Sequence, residues 1–215
     1  QIMGRKMNLA EHMRRAGQDQ GSRAAIAQGK SVRFNYAQLA SRVSRLAHAL
    51  RFTLALPINS RVALAMSNSL EYIEILYACW HAGLTVIPIN AKLHKKEFAY
   101  ILSDAAPELC FSTPELTASV SQATPTTSIR VIDVSSRDYQ ALFNCEMLPI
   151  EPRSPTDAAW IFYTSGTTGN PKGAVLSHRN LQAMCTCYFL DIDPQGPWQS
   201  ILHAAPMSHG SGLYA

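Results

Sequence analysis

The sequence predicts an α/β fold, a doubly wound, mostly parallel sheet with helices on both faces. Three observations carry that expectation. Apolar residues recur at helical spacing in some segments and fill short runs of strand length in others, and the two kinds of segment alternate along the chain. The short runs lack the polar alternation of a half-exposed sheet, so both of their faces need cover. Strands that follow one another through helices are joined in parallel, because the crossover returns the chain to the same end of the sheet.

Near the N-terminus, Asn8 is placed to cap a short helix whose inner face carries Leu9, His12, Met13 and Ala16. That reading takes precedence over an organellar transit peptide, which the basic, acid-poor stretch QIMGRKMNLAEHMRRAG also suggests. AAIAQGKSVRFNY reads as a hairpin turning at Gly29 and Lys30. Tyr36, Leu39, Ala40, Val43, Leu46, Ala47 and Leu50 then recur at helical spacing, predicting an amphipathic helix over 36–51 capped by Asn35. RVALAM, Arg61 to Met66, is a buried strand. SLEYIEILYACWHAG is a helix that stops at Gly83, a residue free to adopt the left-handed conformation past a last turn. LTVIPIN is the next strand, KKEFAYILSDAAP a helix broken by Pro107, ELCFS a third strand and IRVIDVS a fourth. Residues 1–145 thus form a first α/β half. CEMLPIEPRSPTDAA, rich in proline, supplies an extended connector over 146–156. The second half, 157–215, opens with the apolar strand AAWIFYT. Tyr72, Tyr77, Trp80 and Met184, on helical stripes, are expected in the core.

Composition narrows the function classes. With 215 residues and 47% hydrophobic content the chain can bury a full core. Lys and Arg number 19 against 15 Asp and Glu, a net charge of +4, but they are scattered and form no stripe, which argues against nucleic acid. No run approaches the roughly 18 apolar residues that span a bilayer. The expectation is a soluble or at most peripheral protein without a transmembrane segment. The cysteines are odd in number and most lie in apolar or helical patterns, as reduced core thiols do, so the expected setting is cytoplasmic. Cys185 and Cys187, spaced C-x-C on a helix, point apart and have no partner pair, which argues against zinc. Nothing in the sequence sets an oligomeric state.

The densest chemistry lies in YTSGTTGNPKG, Tyr163 to Gly173. Hydroxyls, glycines and a lysine, with no carboxylate among them, are the groups that bind a polyanion. Thr164, Ser165, Thr167 and Thr168 each offer an O–H donor, Gly166 and Gly169 allow close backbone approach, and Lys172 brings a full charge. A surface turn can have the same composition. The Walker phosphate loop fits poorly: counted from Gly166, its second glycine would be Pro171 and its magnesium-binding hydroxyl Gly173. That loop also opens a helix, whereas GAVLS is an apolar strand. The next helix, HRNLQAMCTCYF, comes later, with Ser177 as its cap and His178 and Arg179 in the capping turn. The glycine-rich stretch is therefore expected at the tip of a strand-loop-strand unit, where hydroxyls replace the helix dipole.

In its order of residues YTSGTTGNPKG resembles, at every defining position, the phosphate-loop signature of the adenylate-forming, AMP-binding superfamily. IFY before it, GAVLSHRNL after it and APMSHGSGL further on are similar to the acyl-CoA synthetase branch. FNYAQL, NSLEYIEILYACWHAGLTVIPIN and KKEFAYILSDAAP resemble that branch's N-terminal segments, so the likeness covers nearly the whole chain. The resemblance implies ATP-dependent activation of a carboxylic acid, a fatty acid as first candidate, to an acyl adenylate and pyrophosphate, then thioester formation with coenzyme A. ATP, Mg2+ and coenzyme A are the cofactors it implies, and a small-molecule carboxylic acid is the substrate. By the same resemblance, Thr164, Ser165, Gly166, Thr167, Thr168, Gly169 and Lys172 hold the β- and γ-phosphates, and Thr164 helps to bind magnesium. His209 is the residue expected beside the acyl pocket and the adenylate, with Ser208 in place of the bulky aromatic often found there. The family's other acidic residues, hinge and catalytic lysine fall beyond a point equivalent to Ala215. The chain is accordingly expected to be the N-terminal portion of a longer enzyme, inactive or nearly so alone. Competing readings are a noncatalytic nucleotide- or acyl-binding module, a phosphotransferase with an altered Walker loop, and adenylation for a carrier-protein acceptor.

Overall fold

The computed structural model describes residues 6–123, 129–164, 170–192 and 200–209. Helix α1 (Ala10–Asp19) leads into the hairpin of β1 (Ala24–Gln28) and β2 (Ser31–Asn35), where Gly29 turns the chain at φ +59°. Helix α2 (Tyr36–His48) opens on a reciprocal cap. Asn35 Oδ1 accepts from the Gln38 N–H, and Gln38 Oε1 accepts from the Asn35 N–H. There follow β3 (Arg61–Ala65), α3 (Leu70–His81), β4 (Thr85–Ile89), α4 (Lys95–Ala105), β5 (Leu109–Ser112), α5 (Pro114–Ala123), β6 (Arg130–Asp133) and α6 (Arg137–Ala141). Then come β7 (Ala158–Thr164), β8 (Lys172–Ser177) and α7 (His178–Cys187), the last continued by a π-helical turn over Tyr188–Ile192.

Among the described residues the large sheet runs in the order β6-β5-β3-β4-β7-β8. Strands β6 to β7 are mutually parallel and β8 is antiparallel to β7, so the predicted doubly wound, mostly parallel architecture is present. The cause is visible strand by strand. Val62 and Leu64 of β3 join Val86 and Phe111 under Leu39, Val43 and Leu46 of α2 and Ile75 of α3. Ala63 and Ala65 point the other way and meet Ile87, Ile89 and Cys110 under Phe98, Ile101 and Leu102 of α4. Both sets are buried, and that double burial removes polar alternation from the strands. Tyr72 and Trp80 are buried in the first of these layers, with Tyr77 and Met184 packed against it, as the helical stripes predict.

Several expectations shift. The helix predicted over 36–51 ends at His48, and Ala49–Thr53 widen into a π-helical turn closed by the Leu54 N–H donating to Ala49 O at 2.8 Å. Helix α1 runs from Ala10, although Leu9 is already helical in its backbone angles, and the capping side chain is that of Asn8, its Oδ1 accepting the Ala10 N–H at 2.9 Å. Leu9, Ala10 and Met13 are buried, but His12 is exposed, off the inner face, with its ring against Gln182. Helices α5 and α6 have no counterpart among the predicted elements. Pro114 at the first helical position and Glu115 in the first turn are a helix-start pattern, which the sparse apolar residues of PELTASVSQA obscure.

Gly83 takes φ +76°, and a Cβ there would meet Glu151 Cγ at 2.7 Å, so conformation and close approach both demand glycine. The Glu151 backbone belongs to the connector, which holds no helix or strand between 146 and 156. It is nonetheless pinned. The Ser44 hydroxyl donates to Leu148 O at 2.9 Å and accepts the Leu148 N–H at 3.0 Å. His81 Nε2 donates to the same carbonyl at 2.6 Å, and burial lowers the His81 pKa. The connector thereby delivers β7 alongside β4 in the same sheet. All five cysteines are free thiols, Cys79 and Cys110 buried in the core and Cys187 exposed. Among the described residues no helix is long and apolar enough to cross a membrane.

Candidate functional site

In an open parallel sheet, ligands bind beyond the carboxyl ends of the strands where the strand order reverses. Here the chain passes from β3 to β4 on one side and then returns to lay β5 on the other. The reversal lies between the ends of β3 and β4, and polar residues follow both: Ser67, Asn68 and Ser69 after β3, Asn90 after β4. β7 finishes at this same edge with Thr164, and the antiparallel β8 starts there with Lys172.

Thr164 and Lys172 are direct partners in the β7–β8 ladder. Two antiparallel strands therefore flank the stretch, and the chain leaves it as a strand up to Ser177, where the Walker loop would open a helix. Both side chains are exposed at the strand ends. Ser165, Gly166, Thr167, Thr168 and Gly169 lie outside the described residues. The base of the tip is held from below: Tyr163 Oη donates to Asp104 Oδ2 at 2.5 Å, tying β7 to α4. Burial, then Asp104, holds the Tyr163 phenol well above its ordinary pKa, so it stays a neutral donor. Gly173 lets the ring approach β8 closely, since a Cβ there would come within 3.1 Å of Tyr163 Cζ.

The segment carrying His209 has no helix or strand among its described residues, yet the Asn68 side chain fastens it to the crevice. Asn68 Nδ2 donates to His203 O at 3.0 Å and to Ala205 O at 2.8 Å, while Asn68 Oδ1 accepts the Met207 N–H at 2.8 Å. Met207 and Ser208 are buried, and the His209 N–H donates to Pro206 O at 2.9 Å. The exposed His209 ring brings Nε2 to 3.0 Å from Asn90 Nδ2. Strands β4 and β7 run parallel and pair at Val86 and Trp160, so Asn90, just past β4, and Thr164, at the end of β7, lie on the same edge of the sheet. The structure thus brings Thr164, Lys172 and His209 to one edge of the sheet. It adds Asn68 and Asn90, which sequence reasoning missed. Their signal was an amide-bearing residue within three positions of the end of a buried strand.

On the far side of β3, the Ser67 and Thr113 hydroxyls donate to Glu115 Oε1 at 2.7 and 2.6 Å. Thr113 first, then Ser67, draws the Glu115 carboxyl below the usual range. This knits the β3 and β5 loops together beside Asn68. His178 departs from its expected capping role. It is fully buried, its Nδ1 accepts the Leu9 N–H at 3.3 Å, and burial, then the Arg153 charge, lowers its pKa to about 4. The cap belongs to Ser177 with Asn180, and the Arg179 N–H goes to Pro155 O.

The described ends of the tip suit a polyphosphate, offering an ammonium, a hydroxyl and no carboxylate. For magnesium, Thr164 offers one hard oxygen, and among the described residues no group of three His, Cys, Asp or Glu could hold a metal. A single protein oxygen fits this ion, which keeps waters and shares phosphate oxygens instead of requiring a protein cage.

A family model described as AMP-binding enzyme matches residues 13–215. The chain is similar to a feruloyl-CoA synthase of Amycolatopsis sp, 34% identical over 145 residues that make up 66% of this chain and 28% of that protein. It is likewise similar to the fatty acid–[acyl-carrier-protein] ligase ScoC of Streptomyces coeruleorubidus, 34% identical over 159 residues, 73% of this chain and 30% of that one. Among solved structures, ATP bound MatB from Rhodopseudomonas palustris matches with a TM-score of 0.78 at 26% identity, over 97% of this chain and 42% of that chain. This chain therefore spans less than half the length of each.

Proposed function

The chain belongs to the AMP-binding enzyme family, and from that premise we propose that the complete protein joins a carboxylic acid, in the first instance a fatty acid, to AMP and then transfers the acyl group to coenzyme A. The observation that carries this reading is the pairing of Thr164 with Lys172 at the edge where the β3–β4 crevice opens and where Asn68 fastens the His209 segment. A carboxylate is a poor acyl donor because its leaving group would be oxide. When one of its oxygens bonds to the α-phosphorus of ATP, the bond from that phosphorus to the bridging oxygen breaks and pyrophosphate departs with the electron pair. The acid is left as a mixed anhydride with AMP. A thiol sulfur then bonds to the acyl carbon, its proton is lost, and AMP leaves.

The electrostatic difficulty is that one anion must approach another while charge builds on pyrophosphate. Lys172 answers it with a full positive charge and the tip hydroxyls with O–H donors. Thr164 would lend its oxygen to magnesium, whose chemistry when bound is to polarise phosphate oxygens. ATP bound MatB supports the choice of nucleotide, and the feruloyl-CoA synthase supports coenzyme A as acceptor. A carrier-protein thiol is the second reading of the acceptor, favoured by the similarity to ScoC. The reading places the enzyme in the cytoplasm, where ATP and coenzyme A are supplied.

Acid-dependent exchange of labelled pyrophosphate into ATP tests the first half-reaction. Lys172→Ala in the complete protein should slow it roughly 100-fold, the usual scale for removing one preorganised donor from a developing charge. An unchanged rate would take the tip out of the reaction, and release of ADP in place of AMP would refute adenylation. Thioester formation with coenzyme A against a phosphopantetheinylated carrier protein separates the two acceptors.

A further inference from the structure

The contact between Asn90 and His209 contains more information than a distance. The two ends of an asparagine amide are usually told apart only by their partners. Here the partners decide. The Lys92 N–H points at Asn90 Oδ1 at 3.0 Å, and a backbone N–H can only donate, so that end of the amide is the carbonyl oxygen. The Leu93 N–H donates to Asn90 O at 3.1 Å and fixes the same turn. The amide NH2 must therefore face the imidazole, 3.0 Å from Nε2. An NH2 group also only donates, so Nε2 must accept with its lone pair, and in a neutral ring the proton is on Nδ1.

Resting on the adenylation reading above, we propose that Asn90 is a positioning residue that holds His209 as its Nδ1–H tautomer, leaving Nδ1–H as the ring's donor for an anionic acyl or phosphate group in the crevice. The position is set from two sides of the strand reversal. Asn90 orients the ring from the end of β4, while the three hydrogen bonds of Asn68 hold the backbone of 203–207 from the end of β3. The tautomer matters because the opposite one would turn a lone pair, in place of a donor, toward an anion. A ring held in the wrong tautomer can keep its geometry and still lose its chemistry.

Asn90→Asp separates this role from a merely structural one. One carboxylate oxygen still accepts the Lys92 N–H and preserves the turn, but the other can only accept, so Nε2 must now carry a proton. The experiment uses the complete protein labelled with 15N-histidine, with His209→Gln to identify the His209 signals. In the parent protein, His209 Nε2 should resonate among unprotonated ring nitrogens and Nδ1 among protonated ones. In Asn90→Asp, Nε2 should move to the protonated group, and kcat for pyrophosphate exchange should fall roughly 3- to 10-fold, the value of one oriented hydrogen bond, with KM for ATP little changed. A proton on Nε2 in the parent protein would overturn the inference, as would an inverted tautomer with unaltered kcat. If the parent protein gives no exchange, the adenylation reading falls, while the parent nitrogen shifts still decide the tautomer. They decide it also if the variant does not fold.

Discussion

His178 ties the first helix to the last, and acid should loosen that tie. Its ring is fully buried at the start of α7, Nδ1 accepts the Leu9 N–H at 3.3 Å, and Nε2 has no hydrogen-bond partner. Protonation would turn Nδ1 from acceptor into donor and leave two N–H groups without acceptors in a dry site. The folded-state pKa is lowered to about 4 by burial, with Arg153 adding to the effect and Asp157 opposing it. An unfolded histidine titrates near 6.5. As pH falls below about 6.5 the unfolded chain takes up a proton that the folded chain refuses until about pH 4, so stability is lost through that window. Integrated from about pH 7 to about pH 5, the loss is roughly 2 kcal/mol. His178→Asn supplies the control, because its Oδ1 can take the place of Nδ1 as acceptor and does not titrate. Urea unfolding of both proteins at the two pH values, followed by tryptophan fluorescence, should show the parent losing about 2 kcal/mol more than the variant on acidification. Lost packing lowers the variant equally at both pH values, so only the difference in pH dependence counts. Equal losses would refute the reasoning.

Two further predictions probe the packing around the sheet. Arg42 makes a two-point contact with the buried Glu74 carboxylate, which also accepts from Tyr139 Oη at 2.6 Å, and it lies over the Phe143 ring at 3.8 Å. Arg42→Met should cost about 3 kcal/mol by leaving that carboxylate buried without its countercharge, and adding Glu74→Leu should recover much of it, as urea unfolding of both would show. Gly83→Ala forces a side chain onto φ +76° and against Glu151 Cγ, so about 1–3 kcal/mol should be lost; an unchanged Tm would contradict the strained position.

The sheet was legible because its strands are buried on both faces. A run such as RVALAM or LTVIPIN leaves no alternative to a covered strand, and Gly83 and Pro107 mark the helix ends through backbone rules that hold in any tertiary setting. The two strands flanking the tip were legible as well, since AAWIFYT and GAVLS are apolar runs of strand length. What escaped depends on contacts distant in sequence. Asn68 and Asn90 look like loop residues until the chain returns 135 positions after Asn68 to lay His203 against it. His178 looks like a capping residue because it follows Ser177; only the fold shows Leu9 covering it. The π-helical turn after His48 is likewise invisible to a search for a 3.6 period, because Ala49 and Leu50 keep the apolar pattern through the change of helix.

On the proposed reading, the arrangement of charges gives a physical reason for the phosphate-binding task to fall to a strand tip. In a doubly wound sheet, the helices that follow parallel strands begin at the carboxyl edge, and their N-termini are the usual anion sites. Here each such helix already carries a carboxylate in its first turn: Glu71 in α3, Glu97 in α4, Glu115 in α5 and Asp138 in α6. Glu97 is committed to the His94 N–H at 2.8 Å, and Glu115 to Ser67 and Thr113. Those dipoles are answered internally, so a triphosphate arriving at this edge would meet negative charge at every one of them. The β7–β8 tip, with Lys172 at its base and no carboxylate in the stretch from Tyr163 to Gly173, offers the opposite field. On that reading, hydroxyls and an ammonium do the work of helix dipoles that first-turn carboxylates already neutralise along the edge.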